Sequence, residues 1–222
     1  MNYDSPTPEV AVGYMRWMFE RLLSQGEEIN SVLDVGAAHG HFSGYLTRFY
    51  PNAEIVAVEC NSRDAYFLSR YRWETHYKCL GAKPGMQTFY IDRNSEIGGG
   101  SSLYKENTAF FNNCIEENKE ITTLDHEFPD RAFDFIKIDT QGSELDILMG
   151  GANVVSRAKW LLLELSFQDY NIGAPLIDDV LQYTRDNGWK MYDTIGPTDG
   201  GHCFGNKKVQ VDVLLRNTLW TK

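Results

Sequence analysis

Basic residues are in short supply. Lysine and arginine number 21 against 31 aspartates and glutamates, a formal net charge of -10. That excess repels phosphate backbones and anionic surfaces at long range, which sets nucleic acid and membranes aside as primary partners. Long apolar runs are missing too. The longest, 160–163 with Leu165 beyond Glu164, is strand-sized, against the ~18 residues of a membrane span. Cysteines are few and scattered: Cys60, Cys79, Cys114 and Cys203 include no C-x-x-C pair. Neither a zinc site nor a thiol redox motif is therefore expected, and a reduced, cytoplasmic setting fits best. Residues 1–4, Met-Asn-Tyr-Asp, start no basic-then-apolar pattern, so no secretory signal is expected. Repeats, low-complexity tracts, a Walker loop, a G-x-S-x-G elbow and an H-E-x-x-H pair are all absent.

What is there reads as one domain. The 222 residues are 42% hydrophobic and 23% charged, ordinary for a globular chain of this length. Residues 1–30 predict a helical segment, with Val10, Tyr14, Trp17, Met18 and Leu22 on one face and Gly26 after the last turn. Then the pattern alternates. Strands are expected at 31–35, 54–59, 75–80, 86–91, 133–139 and 160–166, with helices through Phe42–Phe49, Ala65–Leu68, 144–149 and 176–183. Strands at 190–195 and 209–215, with only the Gly/Asp loop 196–206 between them, form an antiparallel pair, since a parallel crossover needs a longer connection. Residues 92–120 break the rhythm with Gly98-Gly99-Gly100-Ser101-Ser102 and read as an insertion or lid loop. The fold class is α/β and Rossmann-like: a seven-stranded, mainly parallel sheet with an antiparallel last strand and helices on both faces.

The sharpest signal is Asp34-Val35-Gly36-Ala37-Ala38-His39-Gly40-His41-Phe42, where the first strand meets the first helix. Glycines there admit close approach of a ligand to the backbone. The spacing is G-x-x-x-G and not the G-x-G-x-x-G of dinucleotide dehydrogenases. Glu59, with Cys60 and Asn61, ends the second strand, where a carboxylate can accept from both ribose hydroxyls. This arrangement resembles the S-adenosylmethionine site of class I methyltransferases. The resemblance implies Asp34 at the methionine amino group, with Gly36, Ala37, Gly40 and Phe42 around the tail and ribose. It places Glu59, Cys60 and Asn61 at the ribose, and Gly81 and Ala82 near the adenine.

The segment Phe133-Asp134-Phe135-Ile136-Lys137-Ile138-Asp139-Thr140-Gln141-Gly142-Ser143-Glu144, running on to Gly150-Gly151-Ala152, makes the resemblance specific. It is similar to the FkbM-type methyltransferases, as are Thr123-Leu124-Asp125, Leu163-Glu164 and the strand Gln210-Val211-Asp212-Val213-Leu214-Leu215. One departure is Gln141, where the family commonly carries glutamate. The resemblance implies O-methyl transfer to a hydroxyl of a sugar or other small molecule. There is no Asn/Asp-Pro-Pro-Tyr/Phe motif of the kind many amino-group methyltransferases of this fold use.

An alcohol is a poor nucleophile and needs a base or a Lewis acid. Asp139, delivered to the carboxyl edge of the sheet and to the cofactor, is the first candidate base, Glu164 the second and His39 a third. Asp139 and Glu164 on adjacent strand ends also admit Mg²⁺, though no residue is assigned as a metal ligand. His39 and His41, one residue apart, are weak evidence for a metal, His126 reads as structural, and His202 lies in the 196–206 loop. Ser101, Ser102 and Gln168 are candidate contacts for a small-molecule or carbohydrate acceptor, with Tyr104, Phe110 and Phe111 as flat apolar surface. Two rival readings are an NAD-linked or nucleotide-sugar oxidoreductase and a non-catalytic S-adenosylmethionine-binding module. The sequence says nothing of the oligomeric state.

Overall fold

The computed structural model describes residues 8–93, 100–195, 202–204 and 207–220. Helix α1 (Pro8–Ser24) precedes strand β1 (Ser31–Val35), helix α2 (His41–Leu46), strand β2 (Glu54–Val58), helix α3 (Ala65–Leu68) and strands β3 (Glu74–His76), β4 (Cys79–Leu80) and β5 (Gly85–Ile91). Then come strand β6 (Ile115–Thr122), helix α4 (Leu124–Glu127), strand β7 (Phe135–Ile138), helices α5 (Glu144–Gly150) and α6 (Ala152–Ser156) and strand β8 (Trp160–Ser166). Helix α7 (Ile177–Asp186) and strands β9 (Trp189–Ile195), β10 (His202–Phe204) and β11 (Lys207–Asn217) complete the order.

The main sheet runs β3-β2-β1-β7-β8-β11, parallel as far as β8. Strand β11 is antiparallel to β8, and β9 and β10 share its other edge, both antiparallel. The expected antiparallel tail is present, with the short β10 added. Alternation along the strands sorts side chains to two faces. Leu33, Val56, Ile136, Ile138, Leu161, Leu163 and Val213 point to one core, shared with α4 to α7. Val32, Phe135, Trp160, Leu162 and Leu214 point to the other, under Met18, Phe19 and Leu22 of α1 and Phe42, Tyr45 and Leu46 of α2.

Four expectations change. Trp17 is 50% exposed, so among the described side chains of α1 the stripe facing the core is Met15, Met18, Phe19 and Leu22, the i, i+3, i+4, i+7 set; the side chains of Val10 and Tyr14 lie outside the described ones. The strand expected at 75–80 is two strands: β3 pairs with β2, whereas β4 pairs with β6 in a separate sheet ordered β4-β6-β5. The segment 92–120 is not all loop. Its last part is β6, whose alternation of half-buried and exposed polar residues carries too little hydrophobic contrast to read as a strand. Finally, Cys60 and Cys79 are not free thiols. They form a disulfide across 19 residues, with Cα atoms 4.4 Å apart, because the end of β2 and the start of β4 lie side by side. Gly98, Gly99, 196–201 and 205–206 lie outside the described residues. Among the described residues, no helix is long and apolar enough to cross a membrane.

Candidate active site

The carboxyl edge of the main sheet and the small sheet border an open-mouthed cavity of about 140 Å³. It sits over β1, between β2 and β7, where the strand order reverses and ligands of open α/β sheets bind. Gly36 forms its floor. Its φ is +73°, and a Cβ there would lie 1.8 Å from the backbone oxygen of Asp139, so the β1 and β7 ends approach as closely as backbone allows. Gly40 has a different reason. A Cβ there would strike the stacked rings of Tyr71 and Trp73 at 2.8 Å, so this glycine serves packing rather than ligand space.

Glu59 marks one end of the cavity. Its carboxylate accepts from the backbone N–H groups of Ala38 at 2.8 Å and Asn61 at 2.7 Å, which fixes it between the glycine loop and its own loop. Burial pushes its pKa up to about 7, with those two N–H groups offsetting only part of the effect. Four lone-pair sites minus two leaves capacity for a pair of ligand hydroxyls. Cys60, Lys78, Cys79, Leu80 and Phe89 line the adjoining wall.

Asp139 marks the other end, its side chain 30% exposed. Behind it the second face of the sheet turns from apolar to charged. Two residues beyond Val32, Phe135 and Leu162 stand Asp34, Lys137 and Glu164, and Asp212 is opposite Glu164 in register. Lys137 Nζ lies 3.1 Å from Asp139, 3.4 Å from Asp34 and 3.3 Å from the Gly36 carbonyl oxygen. Burial alone would lower this ammonium, but the adjoining Asp139 and Asp34 carboxylates outweigh it and hold the pKa above the usual lysine range. Burial likewise works to raise Asp139, and Lys137 wins, holding it below its ordinary value. Glu164 goes the other way. Burial and then the Asp139 and Asp212 charges push it well up, and burial raises Asp212 to about 7. The cavity-lining carboxylate of the row, Asp139, is thus held low beside Lys137, while Glu164 and Asp212 behind it are pushed up.

Of the residues expected from sequence, Gly36, Glu59, Cys60, Ser101 and Asp139 line the cavity together. Glu164 stands directly behind, accepting from Gln141 and Gln210. Asp34 is fully buried and bound to Ser43 and Lys137, so it reaches the cavity only through Lys137. Phe42 packs in the core with Lys137 5.6 Å over its ring, and Ala37 packs with Ala57 and Leu68. Asn61 caps the turn at Arg63. His39 is not in the cavity wall. It is buried against Phe67 at 3.7 Å and hydrogen-bonded to Asp64 at 3.2 Å.

Gly81 bonds to Thr122 and, with Ala82, abuts Gly150 of α5; the wall runs one to three residues earlier, at Lys78, Cys79 and Leu80. Ser102 is buried and bound to Tyr104 and Tyr90. Gln168 is half-buried on the segment after β8, outside the cavity lining. Sequence reasoning missed Ala38, Lys78, Thr140 and Ser143; Thr140 follows Asp139 directly, a signal that was available. Among the described residues no group of three or more His, Cys, Asp or Glu is arranged to hold a metal ion.

Comparison with known proteins agrees with this geometry. The profile of the methyltransferase FkbM domain matches residues 34–191. No curated protein matches the chain. Among solved structures, the fold is similar to the N-methyltransferase NodS from Bradyrhizobium japonicum in complex with S-adenosyl-L-homocysteine, at 13% identity and TM-score 0.51, over 97% of this chain and 89% of that one. It is also similar to the magnesium protoporphyrin IX methyltransferase ChlM from Synechocystis with bound S-adenosylmethionine, at 12% identity and TM-score 0.52, over 98% and 85%. A precorrin-6y C5,15-methyltransferase from Geobacter metallireducens matches at 14% identity and TM-score 0.50, over 97% and 93%. These likenesses establish the class I methyltransferase fold, and the profile match the family: the chain belongs to the FkbM domain family of S-adenosylmethionine-dependent methyltransferases.

Proposed function

We propose that this methyltransferase acts on a hydroxyl of a sugar or other small molecule. The observation that carries the reading is the pairing of two carboxylates at opposite ends of one cavity, Glu59 and Asp139, with the Gly36 backbone between them. S-adenosylmethionine, when bound, supplies a methyl group on a positively charged sulfur. Glu59 is assigned to the ribose hydroxyls, and the wall of Cys79, Leu80 and Phe89 to the flat adenine. Asp139 is assigned to the acceptor: ionised and half-exposed, it accepts the hydrogen bond of a hydroxyl and orients it, and positioning supplies much of the rate of an in-line displacement. Glu164, behind it, is assigned as the group through which Asp139 is tuned. Ser101 and Gln141 offer further polar contacts at the cavity.

The test is thermal unfolding with S-adenosylhomocysteine and, in parallel, with NAD, followed by transfer of labelled methyl to a panel of sugars, phenols, polyols and amines. Ligand at ~100 times its Kd adds about 2.7 kcal/mol, roughly 5–10 °C for a domain of this size. The expected result is a shift with S-adenosylhomocysteine alone. Glu59→Gln should abolish that shift, and Asp139→Asn should keep it while losing transfer. A shift with NAD alone, or transfer only to amines in the panel, overturns the reading.

A further inference from the structure

Gln141 is an odd residue in its place. It lines the cavity, yet its backbone is left-handed, with φ +57°, a conformation that costs any side chain but glycine. The turn around it is pinned: Glu144 accepts from the backbone N–H groups of Thr140 at 2.8 Å and Gly142 at 3.0 Å. In that conformation the carboxamide folds back over the sheet edge. Its Nε2 donates to Asp139 Oδ1 at 3.3 Å and to Glu164 Oε2, and its Oε1 accepts from Gln210 Nε2 at 3.3 Å. Gln210 in turn donates to the same Glu164 oxygen at 3.0 Å. One carboxamide therefore joins the ends of β7, β8 and β11.

We infer that Gln141 is a positioning residue for methyl transfer: its carboxamide, bonded to both Asp139 and Glu164, holds the Asp139 carboxylate aimed into the cavity. The inference rests on the assignment of Asp139 to the acceptor. Asp139 then has a donor on each oxygen, Gln141 on one and Lys137 on the other, an arrangement that favours the ionised form and leaves its remaining lone pairs for the acceptor. The charged groups around the pair are Asp34 on β1, Lys137 on β7, Asp212 on β11 and Glu144 on α5. Three of these four are acidic, so loss of the carboxamide removes one of the donors that favour the ionised Asp139, leaving Lys137 and Glu164. A strained backbone is kept where a side chain must point one way.

The test uses carbon-13 carboxyl resonances of the full chain, titrated with pH and assigned through Asp139→Asn and Glu164→Gln. Two variants are compared: Gln141→Met, which keeps the volume, and Gln141→Gly, which relieves the backbone. In both, Asp139 should titrate at higher pH than in the wild type, while the Kd for S-adenosylhomocysteine stays within about threefold. Gln141→Gly should also unfold at the wild-type temperature or above, so that stability and the Asp139 signature move independently; a purely structural glutamine would not separate them. An Asp139 titration unchanged in both variants overturns the proposal. So does loss of S-adenosylhomocysteine binding in both when Asp139→Asn retains it, since Gln141 would then serve the cofactor. A wild type that binds no S-adenosylhomocysteine sinks the broader assignment without touching the titration readout.

Discussion

Gly36 leaves no room for a methyl group. A Cβ would sit 1.8 Å from the Asp139 carbonyl oxygen at a φ of +73°, so Gly36→Ala meets both a clash with backbone and a disfavoured conformation. Gly26 has a similar φ, +72°, and open space. Gly26→Ala should therefore cost about 1 kcal/mol, and Gly36→Ala several times that with loss of S-adenosylhomocysteine binding; equal denaturation midpoints would refute the close approach. Lys137 is a second residue on which the site depends. Lys137→Met leaves Asp34 and Asp139 without their counter-charge, and breaking such a buried set costs about 3–5 kcal/mol. Adding Asp34→Asn should recover part of the loss, a coupling that urea unfolding of the two single variants and the double variant measures. At this scale the sequence was partly legible. Gly36, Glu59 and Asp139 stood out because a glycine loop and strand-end acids are rare signals, and all three line the cavity. Gly40 looked equal to Gly36 in the same loop, and His39 stood there as a third candidate base, but which of those residues faces a ligand depends on Phe67, Tyr71 and Trp73, far along the chain and unmarked by any motif.

Among the elements, β1, β2, β7 and β8 were easy to read because their burial makes them nearly continuous apolar runs. The small sheet was not. Strand β4 has two residues, and its partner β6 alternates charged with half-buried positions, so neither carries a hydrophobic period. The disulfide follows from that missed geometry. Cys60 leaves β2 beside Glu59, Cys79 opens β4, and both line the cavity, so the bond ties the carboxylate's loop to the adjoining wall of β4. Closing a loop of this size is worth about 3 kcal/mol in the chain-entropy account. Cys60→Ser, or treatment with a thiol reductant, should lower Tm by roughly 6–12 °C and weaken S-adenosylhomocysteine binding as the two walls part. Identical melting with and without reductant would show that the bond contributes nothing.

For the whole molecule, the same buried acids that shape the site set how stability depends on pH. Glu59, Glu144 and Asp212 have folded-state pKa values of about 7, each raised chiefly by burial from ordinary values of 4.5, 4.5 and 3.8. Glu164 is raised as well. A carboxyl whose folded pKa lies above its unfolded one binds more proton in the native state, so stability falls as pH rises between the two values and levels off above the folded one. Asp139, Glu74 and Glu117 are held low; their contribution is present above their ordinary pKa and is lost only as the pH falls below it, so it is nearly constant through the window at issue. The excess of acids over bases adds self-repulsion in the same direction as pH rises. The protein should therefore melt at a higher temperature near pH 5.5 than near pH 7.5, contrary to an acidic protein whose carboxylates are all stabilised by ion pairs. Unfolding near pH 6 should release protons, visible as a dependence of the calorimetric enthalpy on the ionisation heat of the buffer. Glu144→Gln removes one of the raised acids and should flatten the slope. A melting temperature that climbs from pH 5.5 to 7.5 would mean that the row is ionised and paired in the native state, and that the burial read from the fold does not govern its protons.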